Sequence, residues 1–198
     1  DSSYADYKEI VANFGAMRSW LEYHQAIHER LQRTEAGSRR IALEVHTAFP
    51  NKPGGIEIIV GSRYGSSCDF DLLVKYCQAL KSFGLVVYDT LTELAFKNPE
   101  RMVELEKTIP GVRQRVEEFR RYIQESGVDI NSYHTSPNVS AEEEKKLNIG
   151  GTDVLNLRRN ADPRVSAFQI EVPRDIILQP QKRQLISQAT AKFLEEVS

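Results

Sequence analysis

Apolar positions along this chain follow two different periods. Over residues 4–34, Tyr7, Ile10, Val11, Phe14, Met17, Leu21 and Ile27 recur near every 3.6 residues, which predicts an amphipathic helix with Gly15 as its weak point. Two shorter stretches alternate instead. In the first, Ile41, Leu43 and Val45 share one face of an extended chain, and Glu44 and His46 share the other. In the second, Phe168, Ile170 and Val172 oppose Gln169 and Glu171, and Pro173 ends the run. Strands are therefore predicted at 40–46 and 165–172.

The segments between them complete an alternating pattern. An apolar run at 56–60 reads as a strand, and the short connection through Pro50, Pro53, Gly54 and Gly55 makes it the expected neighbour of 40–46. Leu72, Leu73, Val74, Tyr76 and Leu80 form the apolar side of a helix over 69–83, with Ser67 and Asp69 as candidate caps and Gly84 as its stop. A strand at 85–88 then closes a strand–helix–strand unit. Charged helices are predicted at 98–107 and 112–126, separated by Pro110 and Gly111. Residues 127–147 have weak periodicity and read as an insertion or lid. The stretch from Gly150 to Pro163 is irregular, and 179–197 is a closing helix carrying Leu185, Ile186, Ala189, Phe193 and Leu194. The expected fold class is α/β, a three-layer αβα arrangement with a mixed, mostly parallel central sheet.

Composition narrows the setting. With 198 residues and 40% hydrophobic content, the chain is long enough for one domain with a substantial core. The net charge of −2 comes from well-mixed acids and bases, so there is no basic stripe for a nucleic-acid partner. No apolar run approaches the roughly 18 residues of a membrane span, so no membrane partner is expected. Cys68 and Cys77 are placed near the start and middle of one helix, too far apart to bond, and reduced thiols point to a cytoplasmic location.

Several residues carry candidate chemistry. His46 ends a strand, where active groups of α/β sheets collect, and Glu171 lies among apolar neighbours that would favour proton exchange. Arg63, Gly65, Ser66 and Ser67 precede a helix start and could receive a carboxylate or phosphate. His24 and His28 share a helix face, but Gln25 stands where a helical zinc-protease motif needs Glu. Arg158 and Arg159 beside Asp162 and Pro163 are a third candidate, with a solvated loop as the plain alternative. Each of these also has a plain structural reading: a hydrogen-bonded strand-end histidine, the exposed face of a half-buried strand, a capped turn.

Taken in order, the Tyr23–His24 helix, the strand with His46, the 61–68 loop, Gly150–Gly151 and the strand with Gln169 and Glu171 resemble the later part of an N-formylglutamate amidohydrolase family protein. That family is similar to zinc carboxypeptidases, which hydrolyse amides with one zinc ion at a mixed central sheet. The resemblance implies that His46 is a zinc ligand and that Glu171 activates water and then protonates the departing amine. It also implies that Arg63, Ser66 and Ser67 bind the carboxylate of a small-molecule or peptide-like substrate. The family's early ligands, a His and an acidic residue, have no match upstream of His46, and Glu44 stands where the family usually shows Asp. The 198 residues therefore read as one amidohydrolase-like domain without its amino-terminal portion. A noncatalytic binding or scaffold protein that keeps the fold is the alternative.

Overall fold

The computed structural model describes residues 39–48, 53–135 and 162–197, together with Glu22, Tyr23, Gln25, Ala26, Glu29, Arg33 and Arg159. The chain divides into two compact units, Asp1–Arg40 and Ile41–Ser198. In the first, Glu22, Tyr23, Gln25, Ala26 and Glu29 are helical, and the Gln25 amide donates to Glu29 Oε1 at 2.9 Å. The remainder of the expected 4–34 helix, with His24 and His28, lies outside the described residues. So do 136–158, which include Gly150, Gly151 and Arg158.

The second unit is an α/β fold built on a mixed four-stranded sheet. Its strands are β1 (Arg40–Ala48), β2 (Ile58–Gly61), β3 (Val87–Asp89) and β4 (Val165–Pro173), in the spatial order β1-β4-β2-β3. β2 runs parallel to β3, with Ile59 opposite Tyr88, and antiparallel to β4, with Ile59 opposite Glu171 and Gly61 opposite Gln169. The expectation that β1 and β2 are neighbours is thus corrected, because β4 lies between them. A short connection favours adjacency, but β4 is buried from Val165 through Ile170, including its polar Ser166 and Gln169. A strand covered on both faces belongs in the middle of a sheet rather than at its edge.

Three long helices cover the strands: α1 (Phe70–Ser82), α2 (Val112–Ser126) and α3 (Pro180–Val197). α1 buries Leu72, Leu73, Val74, Tyr76, Cys77, Ala79 and Leu80 in one core with Ile58, Val60, Val87, Phe168 and Ile170 of the sheet and Ala189 and Phe193 of α3. Full burial of each large apolar side chain contributes about 1.5–3 kcal/mol. Tyr76 joins three elements: its ring lies 4.9 Å from Phe193 of α3 and 6.0 Å from Phe168 of β4, and its hydroxyl is 3.2 Å from that of Thr190. α2 turns Val112, Val116, Phe119 and Ile123 inward, Arg120 donates to the Ala95 carbonyl at 2.7 Å, and Arg113, Arg115, Glu117, Arg121 and Glu125 are exposed.

The charged stretch at 98–107 forms only short turns, Pro99–Arg101 and Met102–Leu105, preceded by a π-helical turn over Glu93–Lys97. The first part of the expected insertion is fixed to the core. Tyr133 and His134 are buried, and the Thr135 N–H donates to the Val87 carbonyl of β3. Among the described residues, no helix is long and apolar enough to cross a membrane.

Candidate functional site

Strand alternation and strand order together build this site. Glu44 and His46 alternate onto one face of β1, and Gln169 and Glu171 onto one face of β4, its neighbour in the sheet. His46 Nε2 lies 4.0 Å from Glu44 Oε2, and its side chain is 44% exposed. The Glu44 carboxylate beside it lifts the imidazole above the ordinary histidine range; partial burial opposes this, and the charge of Glu171 adds to it. Glu171 is therefore close enough for its charge to act on His46. Its own Oε1 accepts a 2.9 Å hydrogen bond from the Gln169 side-chain amide. The arrangement is an accessible imidazole, biased toward its protonated form by two carboxylates on adjacent strands.

The loop after β2 is held in an uncommon conformation. Arg63, Tyr64 and Gly65 follow one another with φ of 49°, 53° and 81°. The left-handed region costs a non-glycine residue about 1–2 kcal/mol, so the turn needs support. Ser62 supplies part of it, because its carbonyl and hydroxyl both accept from the Gly65 N–H at 3.0 Å. The Ser66 hydroxyl donates back to the Arg63 carbonyl at 2.8 Å. Ser67 is fully buried; its hydroxyl donates to the Ala167 carbonyl at 2.8 Å, and its own carbonyl accepts from the Ala167 N–H at 2.8 Å. Ser67 thereby fastens the turn to β4, the strand that carries Glu171. Arg63 is half-buried at the crest of the turn.

Asp69, a candidate cap, stands at the N-cap position of α1 without a side-chain cap bond. Its carboxylate instead accepts from Arg159 at 2.7 Å, and Arg159 also donates to the Val165 carbonyl at 2.9 Å. Rather than standing in a solvated loop, Arg159 is thus a cross-link between the start of α1 and the start of β4. Cys68 and Cys77 are free and buried, and burial pushes both thiols far up, so neither is a ready nucleophile.

Beyond β3 lies a buried polar network with no local sequence signal. Asp89 accepts from the backbone N–H groups of Leu91 and Thr92 and from the Thr92 hydroxyl, which lies 3.0 Å from the Tyr133 hydroxyl. Burial raises the Asp89 carboxyl, and these hydrogen bonds oppose that rise. The Asp89 N–H donates to His134 Nδ1 at 3.1 Å, so the ring's proton sits on Nε2, which is 2.9 Å from Glu93 Oε2. With side chains 1% and 8% exposed, His134 and Glu93 lock the 130–135 segment to the end of β3.

Among the described residues, no three His, Cys, Asp or Glu side chains gather as a metal-binding group. A catalytic zinc needs three protein ligands, and the described surroundings of His46 do not make that site on their own. No family model, no curated protein and no solved structure matches the chain.

Proposed function

We propose that this chain is an amide hydrolase acting on an N-acyl amino acid or a peptide-like carboxylate. The observation that supports this reading most is that Glu171, on the strand beside that of His46, bears electrostatically on the accessible His46 imidazole. In the proposed reaction Glu171 takes a proton from water as the water oxygen adds to the acyl carbon. The carbon–nitrogen bond then breaks and Glu171 returns that proton to the amine nitrogen, leaving a carboxylic acid and a free amine. His46, protonated or hydrogen-bonding beside Glu171, stabilises the negative charge that develops on the carbonyl oxygen. Arg63 offers its guanidinium to the substrate carboxylate, with Ser66 and Ser67 shaping the turn that presents it.

Zinc, implied by the family resemblance, would need donors beyond the described residues, and none of these steps is assigned to it. The two free, buried cysteines support a cytoplasmic setting. The test is turnover of N-formyl- and N-acetyl-amino acids by the full chain, with divalent metal content measured on the same sample. Glu171→Gln keeps the shape but cannot accept the proton, so kcat is expected to fall by about 10²–10⁴-fold. Equal turnover by wild type and Glu171→Gln refutes the reading. Tight binding of the same compounds without turnover favours the noncatalytic alternative.

A further inference from the structure

Glu171 does not set its own orientation. Two positions before it on the same face of β4, Gln169 donates from Nε2 to Glu171 Oε1 at 2.9 Å. Gln169 is only 4% exposed, in contrast to the open imidazole of His46. Its register partner across the antiparallel pair is Gly61, which brings no side chain to that face and leaves room for the amide to lie along the strand toward Glu171. A buried amide has few ways to move, and a hydrogen bond to a carboxylate is stronger and more directional than one between neutral groups.

We propose that Gln169 is the positioning residue of this site: its buried amide fixes the plane of the Glu171 carboxylate, from which the proton is exchanged with water and with the leaving amine. The proposal rests on the hydrolase reading and adds a division of labour to it. An amide suits the task better than Lys or Arg, because Glu171 already feels the charge of His46, and a second cation would weaken further the proton affinity that a general base needs. Gln169 orients the carboxylate without adding charge, and a catalytic group out of line by about 1 Å loses about 100-fold in rate.

Two measurements on the full chain test this. The first compares Gln169→Met, similar in length but without the amide, with wild type on N-formyl- and N-acetyl-amino acids. A fall in kcat of about 10- to 100-fold with KM within about twofold is expected from lost orientation. Unchanged kcat in Gln169→Met, in a chain whose Glu171→Gln form has lost turnover, overturns the role of Gln169 and leaves the hydrolase reading standing. Absence of wild-type turnover overturns that reading and the catalytic role of Gln169 with it. The second measurement is independent of activity and does not require Gln169→Met to fold: the side-chain amide protons of Gln169, assigned in the ¹⁵N-labelled chain. One amide proton is expected well downfield of its partner, with the separation collapsing in Glu171→Ala. Identical amide resonances in wild type and Glu171→Ala overturn the proposal.

Discussion

Substituting Gly65 with Ala would test whether the left-handed turn after β2 is as rigid as its contacts imply. An added Cβ there would lie 2.7 Å from Phe70 Cε1 and 3.0 Å from Leu91 Cδ2, at a backbone φ of +81°. Neither neighbour yields easily. The Phe70 ring is 5.2 Å from Phe119 and 5.9 Å from Tyr122, and Leu91 is fully buried. Left-handed backbone costs an alanine about 1–2 kcal/mol and overpacking adds about 1–3 kcal/mol, so Gly65→Ala should lose about 2–5 kcal/mol. That is a large share of a total stability of about 5–15 kcal/mol. Gly84→Ala is the control, because its φ is +76° but nothing lies within 4 Å of the added Cβ. Only the backbone cost of about 1–2 kcal/mol applies to it. Alanine also narrows the unfolded ensemble, a gain of about 0.4–1 kcal/mol that is common to both variants and cancels between them. Urea unfolding followed by far-ultraviolet circular dichroism gives both losses, provided the denaturant slopes agree. Equal losses in the two variants would show that Phe70 and Leu91 move aside, and the reasoning about a rigid turn would fail.

Two further substitutions probe the links between the turn and the site. Ser67→Ala removes the buried 2.8 Å hydrogen bond to the Ala167 carbonyl, and a loss of about 1–2 kcal/mol in the same urea assay is expected; no loss would mean that the hydroxyl does not fasten the turn to β4. Glu44→Gln removes the group that contributes most to the raised His46 pKa, so the imidazole midpoint followed by NMR should move down toward the ordinary value of about 6.5. A histidine whose pKa is raised in the folded state stabilises fully below its unfolded pKa, and that contribution is lost as pH rises through the folded one. Glu44→Gln should therefore flatten the pH dependence of stability around and above about pH 6.5, and an unmoved His46 midpoint would show that Glu44 does not control it.

Local pattern carried most of the elements and little of their arrangement. The alternation of Phe168, Ile170 and Val172 with Gln169 and Glu171 locates β4, and the apolar run ending at Gly84 locates α1, because both signals depend on near neighbours in the chain. Glu93 and His134 are 41 residues apart and still form a buried pair; one lies in a π-helical turn and the other in a stretch without periodicity, so neither announces the other. Arg159 and Asp69 are 90 apart, and adjacent charges gave no hint that one of them crosses to α1. Long-range pairing of this kind is decided by the packing of whole elements and leaves no periodic trace in the sequence.

The strand order shows why arrangement matters for the site. A hairpin-like pairing of β1 with β2 would set Glu44 and His46 beside the face of β2 that carries Ile59, with no carboxylate from that strand. Insertion of β4 between them makes the strand of Glu171 the neighbour of the strand of His46, within range of its charge, and leaves Gly61 opposite Gln169, whose amide holds the carboxylate. The error about which strands are neighbours and the proximity of His46 to Glu171 thus have one physical cause. A strand buried on both faces is most stable in the interior of a sheet, and once β4 occupies that position, the polar residues on one of its faces gain a partner strand that sequence separation alone would not have assigned to them.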